Sequence, residues 1–202
     1  MKRERDFHFF IASVVVLAFI WAFIKPENYQ TLLLEMAPVV VGIGILLCTY
    51  TSFTLTTLVY VLIAVQIVVA LIGGHFDYAH VPLFSWLQEQ GVFHRNNYDK
   101  LGHFFQGLGP ALLVREVLLR KTNLRRGALF NTIVVGLCLA FSALYEIFEW
   151  LSAVTIGGAI ASDFIGTQGY IWDTQTDLLW ALIGAISGLL LLARLHDKQL
   201  AK

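Results

Sequence analysis

The chain has 202 residues, of which 57% are apolar and only 14% are charged. Soluble domains carry about 25% charged residues, so this composition excludes an ordinary soluble protein and indicates a membrane protein. Lys and Arg number 14, as do Asp and Glu, and the net charge of zero argues against nucleic acid as a partner bound through bulk charge. Cys48 and Cys138 both lie in apolar runs, which disfavours a disulfide scaffold and a thiolate zinc site.

Six segments are apolar enough to cross a bilayer core, which requires about 20 residues per helix. The sequence therefore predicts an all-α, polytopic membrane protein, a six-transmembrane-helix bundle that forms a single membrane domain over residues 1–202. A short interfacial helix is expected at about 82–90, within the first of two long outer loops, 74–99 and 152–173. The predicted spans, in chain order, are about 7–24, 31–48, 53–73, 100–119, 128–151 and 174–195.

The basic residues give this topology an orientation, because Lys and Arg concentrate in cytoplasmic segments. With the N-terminus inside, eleven basic residues fall on the inner side and three on the outer side. Both termini are therefore expected in the cytoplasm. The three outer residues are Lys25, Arg95 and Lys100, and the inner ones are Lys2, Arg3, Arg5, Arg115, Arg120, Lys121, Arg125, Arg126, Arg194, Lys198 and Lys202.

Acidic residues and histidines recur at the outer ends of four predicted helices. Charged residues within spans are costly and usually face a cavity or the bundle interior. We therefore expect these side chains to converge at one depth. They are His75 and Asp77 after the third span, Asp99 and His103 at the start of the fourth, Glu146 and Glu149 near the end of the fifth, and Asp173 and Asp177 at the start of the sixth.

The spacing within the pairs favours a shared ion, since residues three or four apart lie on one face of a helix. Oxygen-rich sites with a single imidazole suit Zn²⁺, Mg²⁺, Mn²⁺ or Ca²⁺. The sequence thus predicts a divalent cation as cofactor. Its predicted ligands are Asp99, His103, Glu146, Glu149, Asp173 and Asp177.

Three of these carboxylates, Glu146, Glu149 and Asp177, are also predicted catalytic groups, because a carboxylate beside a metal-bound water can act as general base. The accessory candidates are Lys100, as an anion clamp or a carboxylate partner, and His75 and Asp77, as further ligands.

A purely structural charge network is the competing interpretation. Asp99 and Asp173 each precede an apolar run, as helix N-caps do. Capping does not explain Glu146 and Glu149, because the helix dipole disfavours anions near a C-terminus.

Weaker features carry simpler expectations. Glu35 is expected to lie outside the cluster. Arg115 and Glu116 are expected to form a structural pair that reaches the inner interface. The segment 166–169, Gly-Thr-Gln-Gly, predicts a tight turn.

Four motifs, taken in order, carry a family resemblance: NYDKLGHFFQG at 97–107, EIFEW at 146–150, GTQGY at 166–170 and WDTQTD at 172–177. Together they resemble the YjdF family of predicted bacterial inner-membrane proteins. The Asp-Lys-x-x-His-Phe element at 99–104 also resembles VanZ-like membrane proteins, over one helix start. The resemblance implies a multi-pass protein of the bacterial inner membrane, surrounded by membrane lipids, and it implies no particular reaction.

Three functions remain open at this stage. The cluster favours a metal-dependent hydrolase or transferase that acts on a lipid or lipid-linked substrate at the outer leaflet. A small ion or solute transporter is less favoured, because transporters place their sites near the midplane at a repeat interface and no repeat is visible here. A non-enzymatic structural membrane protein is the third. The sequence leaves the oligomeric state open.

Overall fold

The computed structural model describes residues 2–156 and 167–201, and this part of the chain is helical, as predicted. We number its seven helices in chain order. They are α1 (Lys2–Ala22), α2 (Tyr29–Thr49), α3 (Thr57–His75), α4 (Pro82–Glu89), α5 (Tyr98–Lys121), α6 (Ala128–Ile156) and α7 (Asp173–Leu200).

Five of the helices within the described ranges, α1, α2, α3, α6 and α7, are long and apolar enough to cross a membrane. The predicted fourth span corresponds to α5, which is long enough but whose charged and other polar residues leave it less apolar than the other five. Its charged residues are Asp99, Lys100, Arg115, Glu116, Arg120 and Lys121.

A short helix is present where one was predicted at 82–90, and it is α4. It has Pro82 in its first turn, where the missing N–H costs nothing because the first N–H groups of a helix have no partner within it. Leu83 and Trp86 project from this helix and are exposed. An apolar face on a short helix between two long ones is typical of a segment lying in a membrane interface.

Helices α5 and α7 run parallel, with contacts near both ends. Lys100 meets Asp177 near the start of the pair, and Arg115 meets Asp197 near its end. Their backbones touch at two glycines. A Cβ at Gly107 would overlap the carbonyl oxygen of Ala181, and one at Gly184 would overlap that of Phe104. This close crossing aligns the first turns of the two helices side by side.

Helices α3 and α6 run antiparallel to α5 and enclose it. The Tyr98 hydroxyl donates to the carbonyl of Val69 (3.1 Å), near the end of α3. Ser142 of α6 donates to the side-chain oxygen of Gln106 (3.3 Å). The apolar core between these helices includes Val59, Leu62, Leu108, Leu112, Phe130, Val134, Cys138 and Ala185.

The bundle thus has two different ends. We call "acidic end" the one formed by the first turns of α5 and α7 and the last turns of α3 and α6. The opposite end, which carries Arg115, Arg120 and Arg126, is the "basic end".

Helix α3 begins at Thr57, four residues later than predicted, because other helices cap its first turn. The backbone N–H of Thr56 donates to the Glu116 carboxylate of α5 (3.0 Å). The N–H of Leu58 donates to the side-chain oxygen of Gln199 in α7 (2.9 Å). Two of the N–H groups that a helix start leaves unpaired are therefore satisfied from outside the segment.

The expectation that Arg115 and Glu116 pair with each other at the interface is wrong. Both side chains are buried, and adjacent residues on a helix point in different directions. Arg115 instead contacts His196 Nδ1 (3.0 Å) and Asp197 (2.6 Å). Glu116 contacts His196 Nε2 (3.0 Å) and Arg120 (2.6 Å). This buried network joins α3, α5 and α7 at the basic end.

Candidate metal site at the acidic end

Seven side chains that touch one another make up the "acidic-end cluster". The first turns of α5 and α7 and the last part of α6 supply six of them, and the segment before α5 supplies one. Each of the seven side chains is at most 12% exposed. They are Arg95, Asp99, Lys100, His103, Glu146, Asp173 and Asp177.

Asp99 and Asp173, which the competing interpretation treats as helix N-caps, do not occupy the N-cap positions. Asn97 occupies the N-cap position of α5 and Trp172 that of α7, and neither side chain caps its helix. Asp99 and Asp173 lie inside the first turns, where the helix dipole favours a negative charge. Asp99 Oδ1 accepts a hydrogen bond from the backbone N–H of Lys100 (2.7 Å), and both carboxylates also pair with cationic side chains.

Lys100 lies among three aspartates. Its Nζ is 2.6 Å from Asp173 Oδ1, 2.7 Å from Asp177 Oδ1 and 3.2 Å from Asp99 Oδ2. An ammonium group has three hydrogens, so each faces a carboxylate and none is left to clamp a substrate anion. The carboxylate-partner interpretation of Lys100 therefore fits this geometry.

Arg95 is the member of the cluster to which the sequence gave no role. Its Nη2 is 3.0 Å from Asp99 Oδ2 and 2.5 Å from Asp173 Oδ1. Its Nη1 donates to the carbonyl of Thr167 (2.9 Å), and its guanidinium lies 5.0 Å from the centre of the Tyr170 ring. The sequence signal that could have linked Arg95 to the cluster is its spacing of four residues from Asp99.

His103 faces two carboxylates at distances that are long for hydrogen bonds. Its Nε2 is 3.5 Å from Glu146 Oε1 and 3.6 Å from Asp177 Oδ1, whereas N–H···O bonds span about 2.7–3.2 Å. Among the described residues, Glu146 Oε1 and His103 Nδ1 are buried without a hydrogen-bond partner. Buried polar atoms in that condition are uncommon and require an explanation.

The same distances suit two ligands of one ion. Ligand atoms held about 2.1 Å from a Zn²⁺ ion at tetrahedral angles are about 3.4 Å apart. The ligand atoms of His103, Glu146 and Asp177 all lie within 4.8 Å of one another. We call these three residues the "histidine triad".

A second group has the same compactness. The ligand atoms of Asp99, Asp173 and Asp177 also lie within 4.8 Å of one another, and we call them the "aspartate triad". Lys100 contacts all three of its members. The two triads share Asp177 and differ in that the protein itself supplies a cation to only one of them.

Glu149 belongs to neither triad. It follows Tyr145 and Glu146 by about one helical turn, is half-buried, and interacts electrostatically with Glu35 and Glu146. Its position is at the edge of the histidine triad.

Glu35 of α2 was expected to lie away from the cluster, and the structure instead places it next to it. Glu35 is buried and accepts a hydrogen bond from the Tyr145 hydroxyl. The Tyr145 ring packs edge-on against the His103 ring, with 6.2 Å between centres. One side chain therefore separates Glu35 from the histidine triad, a relationship that no local spacing in the sequence encodes.

The turn after α3 closes this side of the site. Asp77 and Tyr78 adopt φ values of 49° and 52°, which are uncommon for residues other than glycine. The Tyr78 ring lies against Gly73 of α3 and Gly102 of α5. Burial, followed by the nearby negative charge of Glu35, raises the pKa of the Tyr78 hydroxyl well above its ordinary value, which keeps it protonated.

His75 and Asp77, the other accessory candidates, lie apart from both triads. His75 Nδ1 bonds the carbonyl of Ala22 (2.9 Å), and its ring stacks on Trp21 with 4.5 Å between centres. Asp77 is buried and interacts electrostatically with Glu35. His75 thus ties α1 to α3.

The predicted tight turn is present over the part of it that the structure describes. Gly166 falls outside the described residues, while Tyr170 N–H donates to the carbonyl of Thr167 (2.8 Å). Gln168 and Gly169 have φ values of 47° and 81°. The Gln168 side chain forms hydrogen bonds with both the N–H and the carbonyl of Asn96, which fixes this turn beside Arg95.

Fold and site together define a multi-pass helical membrane protein with a buried acid–histidine cluster at one end of its bundle. The chain belongs to the family described as predicted membrane protein DUF2238, which matches residues 7–198. It is similar to the inner membrane protein YjdF of Escherichia coli strain K12, with 42% identity over 191 residues, 95% of this chain and 91% of the relative. The family resemblance of the four motifs is thereby confirmed. No solved structure matches the chain.

Proposed function

We propose that this protein is a membrane-embedded, divalent-metal-dependent hydrolase or transferase that acts on a lipid or lipid-linked substrate. The proposed metal ligands are His103, Glu146 and Asp177. The observation that carries the proposal is the separation of His103 Nε2 from two carboxylate oxygens, 3.5 and 3.6 Å, together with the unpartnered buried oxygen of Glu146.

The number of ligands supports catalysis rather than a structural ion. Structural zinc sites have four protein ligands, whereas catalytic sites have three and keep a position for water or substrate. One imidazole with two carboxylates suits Zn²⁺ or Mn²⁺, and Mg²⁺ and Ca²⁺ are tested beside them.

In this proposal Glu149 is the general base rather than a ligand. A divalent ion generates a nucleophilic hydroxide from water and polarises a carbonyl or phosphoryl oxygen. The Glu149 carboxylate, about one turn from Glu146, would serve as the proton acceptor for a water bound to the ion. Glu149 is in neither triad, so it is not committed to the ion or to Lys100.

We further propose that α5 is the sixth transmembrane helix. It runs parallel to α7, with ion pairs at both ends of the shared length, and α7 is long and apolar enough to span. A helix of 24 residues is about 36 Å long, which exceeds the bilayer core of about 30 Å. Its charged residues lie near its two ends, where Lys100, Arg115 and Glu116 are buried and bond to residues of other segments, while Arg120 and Lys121 are exposed.

Six spans and the eleven-to-three distribution of basic residues favour cytoplasmic termini. The acidic end then faces the outer leaflet, where α4 lies in the interface. Trp150 and Trp172 near the site are 57% and 56% exposed, and Ile171 is 81% exposed. A lipid head group could meet the site from the outer leaflet while its acyl chains stay in the bilayer.

A structural role of the cluster is the second candidate, and one observation favours it. Lys100 and Arg95 pair with all three carboxylates of the aspartate triad, and ion pairs of this kind tie α5 to α7 without any metal. These contacts leave the histidine triad unexplained.

A metal-content and turnover experiment tests the proposal. Protein purified in detergent is loaded with each of the four ions, dialysed and analysed for bound metal. It is then placed in vesicles of total bacterial lipid extract, and released head groups or transferred products are measured by mass spectrometry. The proposal is supported if product formation depends on metal and is lost in Glu146→Gln. Glu89→Gln, which changes a carboxylate on α4 away from the site, is the control and should keep the activity. Wild-type protein without bound metal and without product overturns it.

A further inference from the structure

We propose that Lys100 limits the acidic-end cluster to one divalent cation by holding the aspartate triad with its own ammonium group. Without Lys100, the cluster would bind two divalent cations that share Asp177. The inference rests on the proposed function, because it takes the histidine triad as the site of the first ion.

The aspartate triad has the composition and compactness of a second cation site. Three carboxylates contribute ligand atoms within 4.8 Å of one another, the same limit that the histidine triad meets. Carboxylate oxygens are the preferred ligands of hard divalent cations. The Lys100 nitrogen lies 2.6–3.2 Å from all three residues, so it occupies the place that such an ion would need.

The shared residue makes the two triads a pair. Asp177 Oδ1 is 2.7 Å from Lys100 Nζ and 3.6 Å from His103 Nε2. Two-metal sites have their ions about 3.5–4 Å apart, bridged by shared ligands. The cluster therefore resembles a two-metal arrangement in which an ammonium group stands in for one of the ions.

The charges of the cluster favour the same stoichiometry. Four carboxylates, those of Asp99, Glu146, Asp173 and Asp177, stand against two cationic side chains, Lys100 and Arg95. Counted over these six side chains, without Glu149 at the edge of the site, the remaining charge of −2 matches a single divalent ion. A second divalent ion would leave an excess of positive charge in a buried place, which is costly.

Arg95 cannot replace Lys100 in this role. It pairs with Asp99 and Asp173 and, within the described part of the chain, forms no ion pair with Asp177. Arg95 therefore neutralises Asp99 and Asp173, whereas Asp177, the residue shared by the two triads, is neutralised by Lys100.

The test counts bound Mn²⁺ per chain in full-length protein in detergent. Wild type is expected to bind one ion. Lys100→Met, which keeps most of the side-chain length and removes the charge, is expected to bind two, with the electron paramagnetic resonance spectrum of a coupled Mn²⁺ pair. Arg95→Met is the matched control and is expected to bind one. One ion in wild type and one in an assembled Lys100→Met protein would overturn the inference and leave the proposed function standing.

A second variant keeps the inference falsifiable if Lys100→Met does not assemble. Asp173→Asn removes a ligand from the aspartate triad only, so it should bind one Mn²⁺ with an affinity within about threefold of wild type. A loss of that ion in Asp173→Asn would place it in the aspartate triad and overturn the inference. No ion in wild type but one in Lys100→Met would overturn the proposed function, and with it the two-ion prediction.

Discussion

His103 and Glu146 face each other across the interface of α5 and α6, with 3.5 Å between Nε2 and Oε1. The distance is too long for a good hydrogen bond, and the Glu146 Oε1 atom has no hydrogen-bond partner in the described part of the chain. A carboxylate oxygen buried in this way loses its hydration without compensation. A cation between the two groups removes that penalty, so the account predicts that metal affects stability as well as activity.

Divalent metal should raise the melting temperature of the wild-type protein. Binding to the folded state stabilises it by about 2.7 kcal/mol when the free ion is at a hundred times its dissociation constant. Glu146→Gln should lose this rise while it still assembles, since its shape is nearly unchanged. Thermal unfolding in detergent, with chelator or with each ion, measures the effect. A rise of the same size in Glu146→Gln would exclude Glu146 as a ligand.

Glu149→Gln should separate binding from chemistry. Because Glu149 lies in neither triad, the variant should bind metal with near wild-type affinity. Loss of a general base lowers turnover by about 10²–10⁴-fold. Parallel measurements of metal affinity and product formation test this. Loss of metal binding in Glu149→Gln would instead make Glu149 a ligand, as the sequence had predicted.

Gly184→Ala should destabilise the bundle. A methyl group there overlaps the carbonyl oxygen of Phe104, so α5 and α7 must move apart. Overpacking of this kind costs about 1–3 kcal/mol. Gly136→Ala is the matched control, because nothing lies within 4 Å of a Cβ at Gly136 of α6. Denaturation in detergent compares the two variants, and equal stability would contradict the close crossing.

Glu116→Ala should be strongly destabilising at the basic end. Its carboxylate accepts bonds from Thr56, His196 and Arg120, and its side chain is fully buried. Removing one partner of a buried charge network costs about 3–5 kcal/mol.

The control for this prediction is Arg126→Ala. The Arg126 side chain is 57% exposed, although it also contacts Asp197, and exposed pairs contribute about 0–1 kcal/mol. Similar losses of stability in the two variants would show that burial does not set the energetics of this network.

The proposed topology predicts opposite labelling of two loops. In a background without Cys48 and Cys138, a cysteine at Val92 should react with a membrane-impermeant maleimide in intact cells. A cysteine at Leu124 should react only after the membrane is permeabilised. The reverse pattern would place the acidic end in the cytoplasm and remove the outer-leaflet assignment.

The sequence predicted the helices well because a bilayer imposes a length and an apolar composition on each span. The common depth of Asp99, His103, Glu146 and Asp177 was predictable for the same reason, since each lies at the same end of its helix. Side-chain pairing was not predictable, because it depends on the rotation and spacing of helices. The close contact at Gly107 and Gly184 sets the rotation and the spacing of α5 and α7, and thereby the pairing of Lys100 with Asp177.

Residues distant in sequence were missed for a related reason. Glu35 reaches the site through Tyr145, which is 110 positions away. The start of α3 was misplaced because Glu116 and Gln199, from two other helices, cap it. Neither of these long-range contacts produces a local pattern in the sequence. The pairing of Arg95 with Asp99 is different, because their spacing of four residues is visible in the sequence.

X-ray absorption spectroscopy of the zinc-loaded wild-type protein tests the central claim most directly. The account predicts one stoichiometric Zn²⁺ with a single imidazole nitrogen at about 2.0–2.1 Å and oxygen ligands for the rest. In His103→Ala the imidazole signal should disappear. A protein that retains no zinc, or a bound ion whose spectrum contains no imidazole, would contradict the histidine triad as a metal site.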